Sequence, residues 1–163
     1  MILWQGSGYY RGVEPEIVAL YNLARALHEA GRPAVEAGET MAAALGAEGE
    51  TPILLPVRVF VEWADLPPRV RHGRLLTACH LAAGLILGES VPPGATRISG
   101  EALAREIHNS ETSAYHFGLT LRLRPIGMPW LNYDNLPDAA RAGRLRQAEA
   151  LEAAGWKAWI WDK

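Results

Sequence analysis

Helical and strand-like spacings of apolar residues alternate along this 163-residue chain, and the alternation restricts its fold class. Intervals of three and four between apolar residues predict helices over 14–30, 69–88 and 137–154, with a weaker alanine-rich helix over 36–45. Period-two alternation or β-rich composition predicts strands in 1–5, 53–63, 117–124 and 156–161. The sequence therefore predicts an α+β fold of four or five helices around a small, mostly antiparallel sheet.

Length and composition are those of an ordinary folded protein. The chain is 49% hydrophobic and 21% charged, and its length is close to that of one typical domain. We expect a single domain over 1–163, in which an N-terminal α/β lobe, 1–66, precedes a helical lobe with a C-terminal strand, 67–163.

Cysteine content and hydropathy indicate the cellular location. The single cysteine, Cys79, allows neither an intramolecular disulfide nor a thiolate metal site. The opening residues MILWQGSG lack the features of a signal peptide, and the longest apolar stretch, 75–87, is too short to span a bilayer. We expect a cytoplasmic protein with no membrane partner.

Charge is distributed unevenly, although the net charge is only −2. Residues 1–50 contain three arginines and seven glutamates, whereas residues 69–147 contain ten arginines and six acidic residues. Any polyanionic partner is therefore expected to bind the second half of the chain.

The stretch 98–118, ISGEALAREIHNSETSAYHFG, carries the most specific functional pattern. Leu103, Ala104 and Ile107 have the spacing of the inward face of a first short helix, and the small Ala104 suits a close crossing of two helices. Ala114 and Phe117 fit the inward face of a second helix. His108 and Asn109 would form the turn between the two, with Ser110 beginning the second helix.

These residues resemble the helix-turn-helix family of DNA-binding proteins, in a winged form if the predicted strand 117–124 pairs with another strand. The resemblance covers 98–124 and implies binding to double-stranded DNA. It implies a transcription regulator or an accessory protein of a mobile element, with a homodimer as its expected assembly. The DNA contacts that it implies are Ser110, Glu111, Thr112, Tyr115 and His116 from the second helix, and Arg122 and Arg124 from the strand. An alternative is that the two helices only pack against helix 69–88 and bind no nucleic acid.

A protein-binding module or inhibitor without catalytic activity is the second hypothesis. Exposed aromatic residues are typical of partner surfaces, and the C-terminal part of the chain is rich in them. The residues considered for this surface are Trp130, Tyr133, Trp156, Trp159 and Trp161.

An enzyme is the third hypothesis, in the form of a small metal-dependent nuclease. Such an enzyme needs clustered carboxylates and a lysine, and Asp134, Asp162, Lys157 and Lys163 show no recognisable spacing. Spacing also brings no nucleophile, base and orienting group together. The sequence therefore predicts no catalytic residues, no metal and no cofactor.

Overall fold

Helices form the framework of the protein. A computed structural model describes residues 14–44, 53–57, 59–88, 92–120 and 131–163. The helices in these ranges are α1 (Glu14–Ala30), α2 (Arg32–Glu36), α3 (Pro68–Gly84), α4 (Gly100–Thr120) and α5 (Asp138–Ala153), with short 3-10 turns at Trp63–Asp65 and Tyr133–Asn135. Proline begins α3 and also stands early in α2, where its fixed φ suits a first helical turn.

Two small antiparallel sheets accompany the helices. The strands are β1 (Met41–Ala44), β2 (Ile53–Pro56), β3 (Ile86–Gly88), β4 (Ala95–Ile98) and β5 (Lys157–Trp161). Strand β5 lies between β3 and β4, with Trp159 opposite both Ile86 and Arg97, while β1 pairs separately with β2. The predicted α+β class is confirmed.

The four long helices surround a shared core. Helix α1 packs against α3 and α5, and α4 also packs against α3 and α5. Fully buried side chains from all four meet there, and each stabilises the fold by about 1.5–3 kcal/mol; they include Leu23, Leu81, Leu103, Ile107 and Leu151. No helix in the described ranges combines the length and the apolar composition needed to cross a lipid bilayer.

Helices 14–30 and 137–154 and strand 156–161 are confirmed within one or two residues by α1, α5 and β5. The helix predicted over 36–45 is wrong, since α2 ends at Glu36 and Met41–Ala44 is strand β1. Gly38 has a φ of +72°, which ends helical geometry, and pairing with β2 then outweighs the helical preference of alanine.

The other strand and helix limits shift for similar reasons. Helix 69–88 stops at Gly84, because Leu85 is extended and Ile86–Gly88 pairs with β5. Of the described residues in the strand predicted over 53–63, Ile53–Pro56 forms β2, and Trp63 begins a 3-10 turn. Residues 117–120 belong to α4 rather than to a strand, and the predicted strand residues 1–5 and 121–124 lie outside the described residues.

The turn predicted at His108 and Asn109 is also wrong. Helix α4 runs without a break from Gly100 to Thr120, so the two helices that the helix-turn-helix resemblance implies are one helix. Residues 101–117 contain no glycine or proline that would interrupt it. Leu103, Ile107 and Ala114 are buried as expected, because intervals of four and seven residues also keep side chains on one face of a continuous helix.

Candidate functional site

The buried face of helix α4 changes from apolar to polar near its middle. Leu103, Ala104 and Ile107 are the apolar residues of this buried face. The residues buried after them, His108, Ser110 and Glu111, are polar or charged. Glu111 is only 4% exposed. A carboxylate in such a position requires compensating partners, since an unpaired buried charge is strongly unfavourable.

Two arginines from neighbouring helices supply those partners. Nη1 of Arg74, from α3, lies 3.3 Å from Oε1 of Glu111, and Nη2 of Arg144, from α5, contacts Oε2. The Arg74 side chain is 25% exposed and that of Arg144 is 17% exposed. Burial, together with the nearby charge of Arg74, lowers the pKa of Arg144 to about 10, so the guanidinium stays cationic at neutral pH.

His108 holds Arg144 from the other side. Nε of Arg144 lies 3.3 Å from Nδ1 of His108, and because a guanidinium can only donate, Nδ1 must accept. Nε2 then donates to the Leu131 carbonyl oxygen, 2.6 Å away. Burial and the Arg144 charge lower the pKa of His108 to about 4, so the ring is neutral and both nitrogens are engaged.

Gln147 extends this polar group to the fourth long helix. Its Oε1 accepts from Nη1 of Arg144 at 2.9 Å, and its Nε2 donates to the Leu27 carbonyl oxygen of α1 at 2.9 Å. We call Arg74, His108, Glu111, Arg144 and Gln147 the polar cluster. It ties α1, α3, α4 and α5 together around one point.

A cavity of about 160 Å³ adjoins the polar cluster, and every cluster member lines it. Most of the other lining side chains are apolar and come from α1, α2, the segment 57–61 and the loop before α3. They include Leu27, Val35, Val57, Phe60, Val61 and Leu66. The cavity is therefore apolar along most of its wall and strongly polar at the arginines.

Val57, Val59, Phe60 and Val61 form one wall, and this part of the chain is anchored to α1. His28 Nε2 lies 2.7 Å from the Val61 carbonyl oxygen, and the guanidinium of Arg32 lies 4.1 Å from the centre of the Phe60 ring. Arg32 also pairs with Glu62 at 2.8 Å. These contacts hold an irregular segment in a defined place.

Gly143 forms another part of the wall, where α5 meets the chain after α2. A Cβ at this position would lie 2.7 Å from the Glu39 carbonyl oxygen, closer than real Cβ atoms approach. Glycine therefore permits a close approach that shapes the cavity.

The cavity carries an excess of positive charge. Among the described residues, Glu39 at the wall pairs with Arg146, which leaves Arg74 and Arg144 against the single carboxylate of Glu111. Moreover, Nε of Arg74 is buried and has no hydrogen-bond partner among the residues that the structure describes. Buried donors normally have partners, so this nitrogen is open to a further acceptor beyond those in the described ranges.

Of the residues predicted to contact DNA, those whose side chains the structure describes do not form an open surface. Ser110 and Glu111 are buried, and Thr112 is half-buried, with its hydroxyl donating to the His108 carbonyl oxygen. Ser110 and Glu111 therefore face the core of the protein rather than an open surface, and contact of these residues with DNA stays a prediction. Tyr115 and His116 lie on α4, whereas Arg122 and Arg124 lie outside the described residues.

The aromatic residues considered for a partner surface differ widely in exposure. Tyr133 and Trp159 are buried, Trp156 is half-buried, and Trp161 is 48% exposed, while Trp130 lies outside the described residues. For the nuclease hypothesis, Asp134 pairs with Arg105 and Asp162 accepts a hydrogen bond from Thr96. No group of three His, Cys, Asp or Glu side chains suited to a metal ion occurs in the described part of the chain.

Sequence reasoning missed four of the five members of the polar cluster, although a signal was present. Arg144 follows Ala140 and precedes Ala148 at intervals of four, so it stands on the buried face of α5. Arg74 likewise precedes Ala78 and Leu81, and His108 follows Ala104. Charged or polar residues at inward positions of three different helices would have indicated an internal polar site.

Comparison with known proteins adds no candidate function. No protein-family model, curated protein or solved structure matches the chain. The functional interpretation therefore depends on the cavity and the polar cluster.

Proposed function

We propose that the protein binds a small organic anion in the cavity, with Arg74 and Arg144 providing the electrostatic attraction. The observation that carries the proposal is the pair of arginines beside an apolar cavity, opposed by one carboxylate and with a buried Arg74 donor left over. Apolar walls with a few convergent polar groups are typical of small-molecule sites.

The electrostatics support an anionic ligand over a neutral one. A cluster that served only to connect helices would be most stable with balanced charges, because desolvating an uncompensated cation is unfavourable. An anion in the cavity would compensate the extra guanidinium, and guanidinium groups form strong, directional hydrogen bonds with oxyanions.

The hydrogen bonding within the cluster supports binding over catalysis. Both ring nitrogens of His108 are engaged, and the Glu111 carboxylate lies between two guanidinium groups. A general base needs a ring nitrogen or carboxylate within reach of a substrate proton. Neither group has this freedom in the described structure, so we assign both a role in positioning the arginines.

Thermal unfolding with small organic anions tests the proposal. Wild-type protein is heated with acetate, hexanoate, benzoate or phosphate, each at matched ionic strength and pH. A ligand at 100 times its Kd adds about 2.7 kcal/mol of stability, which raises Tm by about 5–10 °C for a chain of this length. We expect at least one anion to produce such a rise in the wild type.

The matched variants are Arg74→Gln and Arg141→Gln. Arg141 is an exposed arginine of α5 that pairs with Asp138 and does not line the cavity. Loss of the anion-induced rise in Arg74→Gln, and its retention in Arg141→Gln, supports the proposal. An equal rise in both variants, or no rise with any anion, contradicts it.

DNA binding and partner binding remain predictions. DNA binding now rests on Arg122 and Arg124, without the separate recognition helix. Partner binding rests on Trp161, which is the well-exposed tryptophan among those that the structure describes. Neither has the convergence of charge, burial and volume that supports an anion in the cavity.

A further inference from the structure

We infer that the ligand is a monocarboxylate whose compact apolar body is about the size of a benzene ring. This inference rests on the proposed anion site and adds the chemical class of the ligand. Three independent features of the cavity lead to it: its volume, its net charge and the arrangement of its polar and apolar walls.

Volume limits the size of the ligand. The cavity measures about 160 Å³, and an apolar protein cavity of about 150 Å³ can hold one benzene molecule. A ligand with roughly six carbons and a carboxylate therefore matches the cavity in size. Acetate fits, but leaves most of the apolar wall without contacts.

Charge limits the ligand to one negative group. Arg74 and Arg144 exceed Glu111 by one charge among the described residues, since Glu39 is compensated by Arg146. A single carboxylate restores balance. Most of the lining outside the polar cluster, such as Leu27, Val35, Phe60 and Leu66, offers a second carboxylate no polar side-chain group.

The position of the donors orients the ligand. Arg74 Nε has no hydrogen-bond partner in the described part of the chain, while its Nη1 already donates to Glu111. A carboxylate accepts well from the edge of a guanidinium, because its two oxygens match the planar donors. The apolar body is then left to contact the apolar lining residues, among them Val57, Phe60 and Val61.

Tetrahedral oxyanions suit this site less well. Phosphate and sulfate present four oxygens in all directions, so several would face aliphatic side chains without a hydrogen bond. Neither anion has an apolar part to contact the wall of the segment 57–61. A carboxylate with a hydrocarbon body satisfies both ends of the cavity.

Isothermal titration with closely matched probes tests the ligand class. Benzoate is compared with benzamide, its neutral isostere, with isophthalate, which adds a second carboxylate, and with acetate, which lacks the body. We expect benzoate to bind the wild-type protein at least tenfold more tightly than each of the other three. Phosphate is included as the tetrahedral anion.

The Arg74→Gln variant is expected to lose at least tenfold in benzoate affinity while its benzamide affinity changes less than twofold. Arg141→Gln is the control and should retain the wild-type preference. The benzoate and benzamide comparison needs only the unaltered chain, so it remains decisive if Arg74→Gln does not fold.

Different failures separate the ligand class from the proposed function. Binding of phosphate or isophthalate at least as tight as that of benzoate, with dependence on Arg74, overturns the monocarboxylate class but preserves the anion site. Equal affinities for benzoate and benzamide overturn the class and the anion site together. Absence of binding by every probe also overturns both.

Discussion

The arginines of the polar cluster differ from Arg105 and Arg141 on the surface, although all four pair with carboxylates. Arg105 contacts Asp134 at 2.9 Å and Arg141 contacts Asp138, and both acidic partners are largely exposed. Arg74 and Arg144 instead share Glu111, which is almost completely buried. Arg105 and Arg141 each pair with a carboxylate of their own, whereas Arg74 and Arg144 share the carboxylate of Glu111.

This difference alters the energetics of each group. The hydrogen bond with Asp134 raises the pKa of Arg105, while burial lowers the pKa of Arg144. Exposed ion pairs contribute about 0–1 kcal/mol because water and salt screen them. Removing one partner from a buried pair is far more destabilising, because a desolvated charge is left behind. The internal arrangement is therefore sensitive to change and suited to an anion that adds the missing charge.

The largest effect is expected from Glu111→Gln. Two cationic guanidinium groups would remain in the cluster without their shared carboxylate, so the free energy of unfolding should fall by about 3–5 kcal/mol. Urea denaturation of the wild type and the variant measures this loss.

Asp138→Asn is the matched surface variant for that experiment. It removes the carboxylate partner of Arg141 and should change the free energy of unfolding by about 0.5 kcal/mol or less. Similar losses in the two variants would mean that the cluster behaves as an ordinary surface ion pair.

A pH effect of intermediate size is expected from His108. Its pKa is about 4 in the folded protein and 6.5 for the free side chain, so the unfolded chain binds more protons between these values. The free energy of unfolding should therefore fall as pH drops from 6.5 to 4, by about 3 kcal/mol for this residue. Urea denaturation across that pH range measures the dependence.

His108→Gln removes this contribution, and Gln can still donate to the Leu131 carbonyl oxygen. The variant should lose less stability than the wild type over the same interval, with a residual slope from His28, whose pKa is also lowered by burial. An unchanged pH dependence in the variant would show that His108 is not the neutral, buried group described above.

A smaller effect is expected from Gly143→Ala. The new methyl group would collide with the Glu39 carbonyl oxygen, and overpacking of this kind destabilises by about 1–3 kcal/mol. Gly84→Ala is the control, since no heavy atom lies within 4 Å of its Cβ, and it should leave stability unchanged or raise it by up to about 1 kcal/mol. Thermal unfolding of both variants tests whether the wall at Gly143 is as tight as described; equal Tm values would contradict it.

Periodicity predicted the elements that rely on local signals. Helix α1 has continuous three-and-four spacing, and Gly31 follows its last residue. Strand β1 could not be predicted in the same way, because Met41–Ala44 is helix-prone and becomes a strand only through pairing with β2. Helix α4 shows a further limit, since Leu103, Ile107 and Ala114 fit both one long helix and two short ones.

The candidate site was less predictable, because it forms between helices that are distant in sequence. Arg74, Glu111 and Arg144 come from three different helices and meet only after α4 packs against α3 and α5. Their inward positions can be read from helical spacing. Their shared contact, the unpaired Arg74 donor and the cavity depend on tertiary packing.

Arginine Nε–H resonances of ¹⁵N-labelled protein provide the most direct test of the proposed anion site. The Arg74 signal is assigned by its absence in Arg74→Gln, and the protein is then titrated with benzoate at constant pH and ionic strength. We expect the Arg74 Nε–H signal to shift with a saturable dependence on benzoate, while that of Arg141 stays in place. An Arg74 signal that does not move at benzoate concentrations that raise Tm, or that moves no more than the Arg141 signal, would contradict the account.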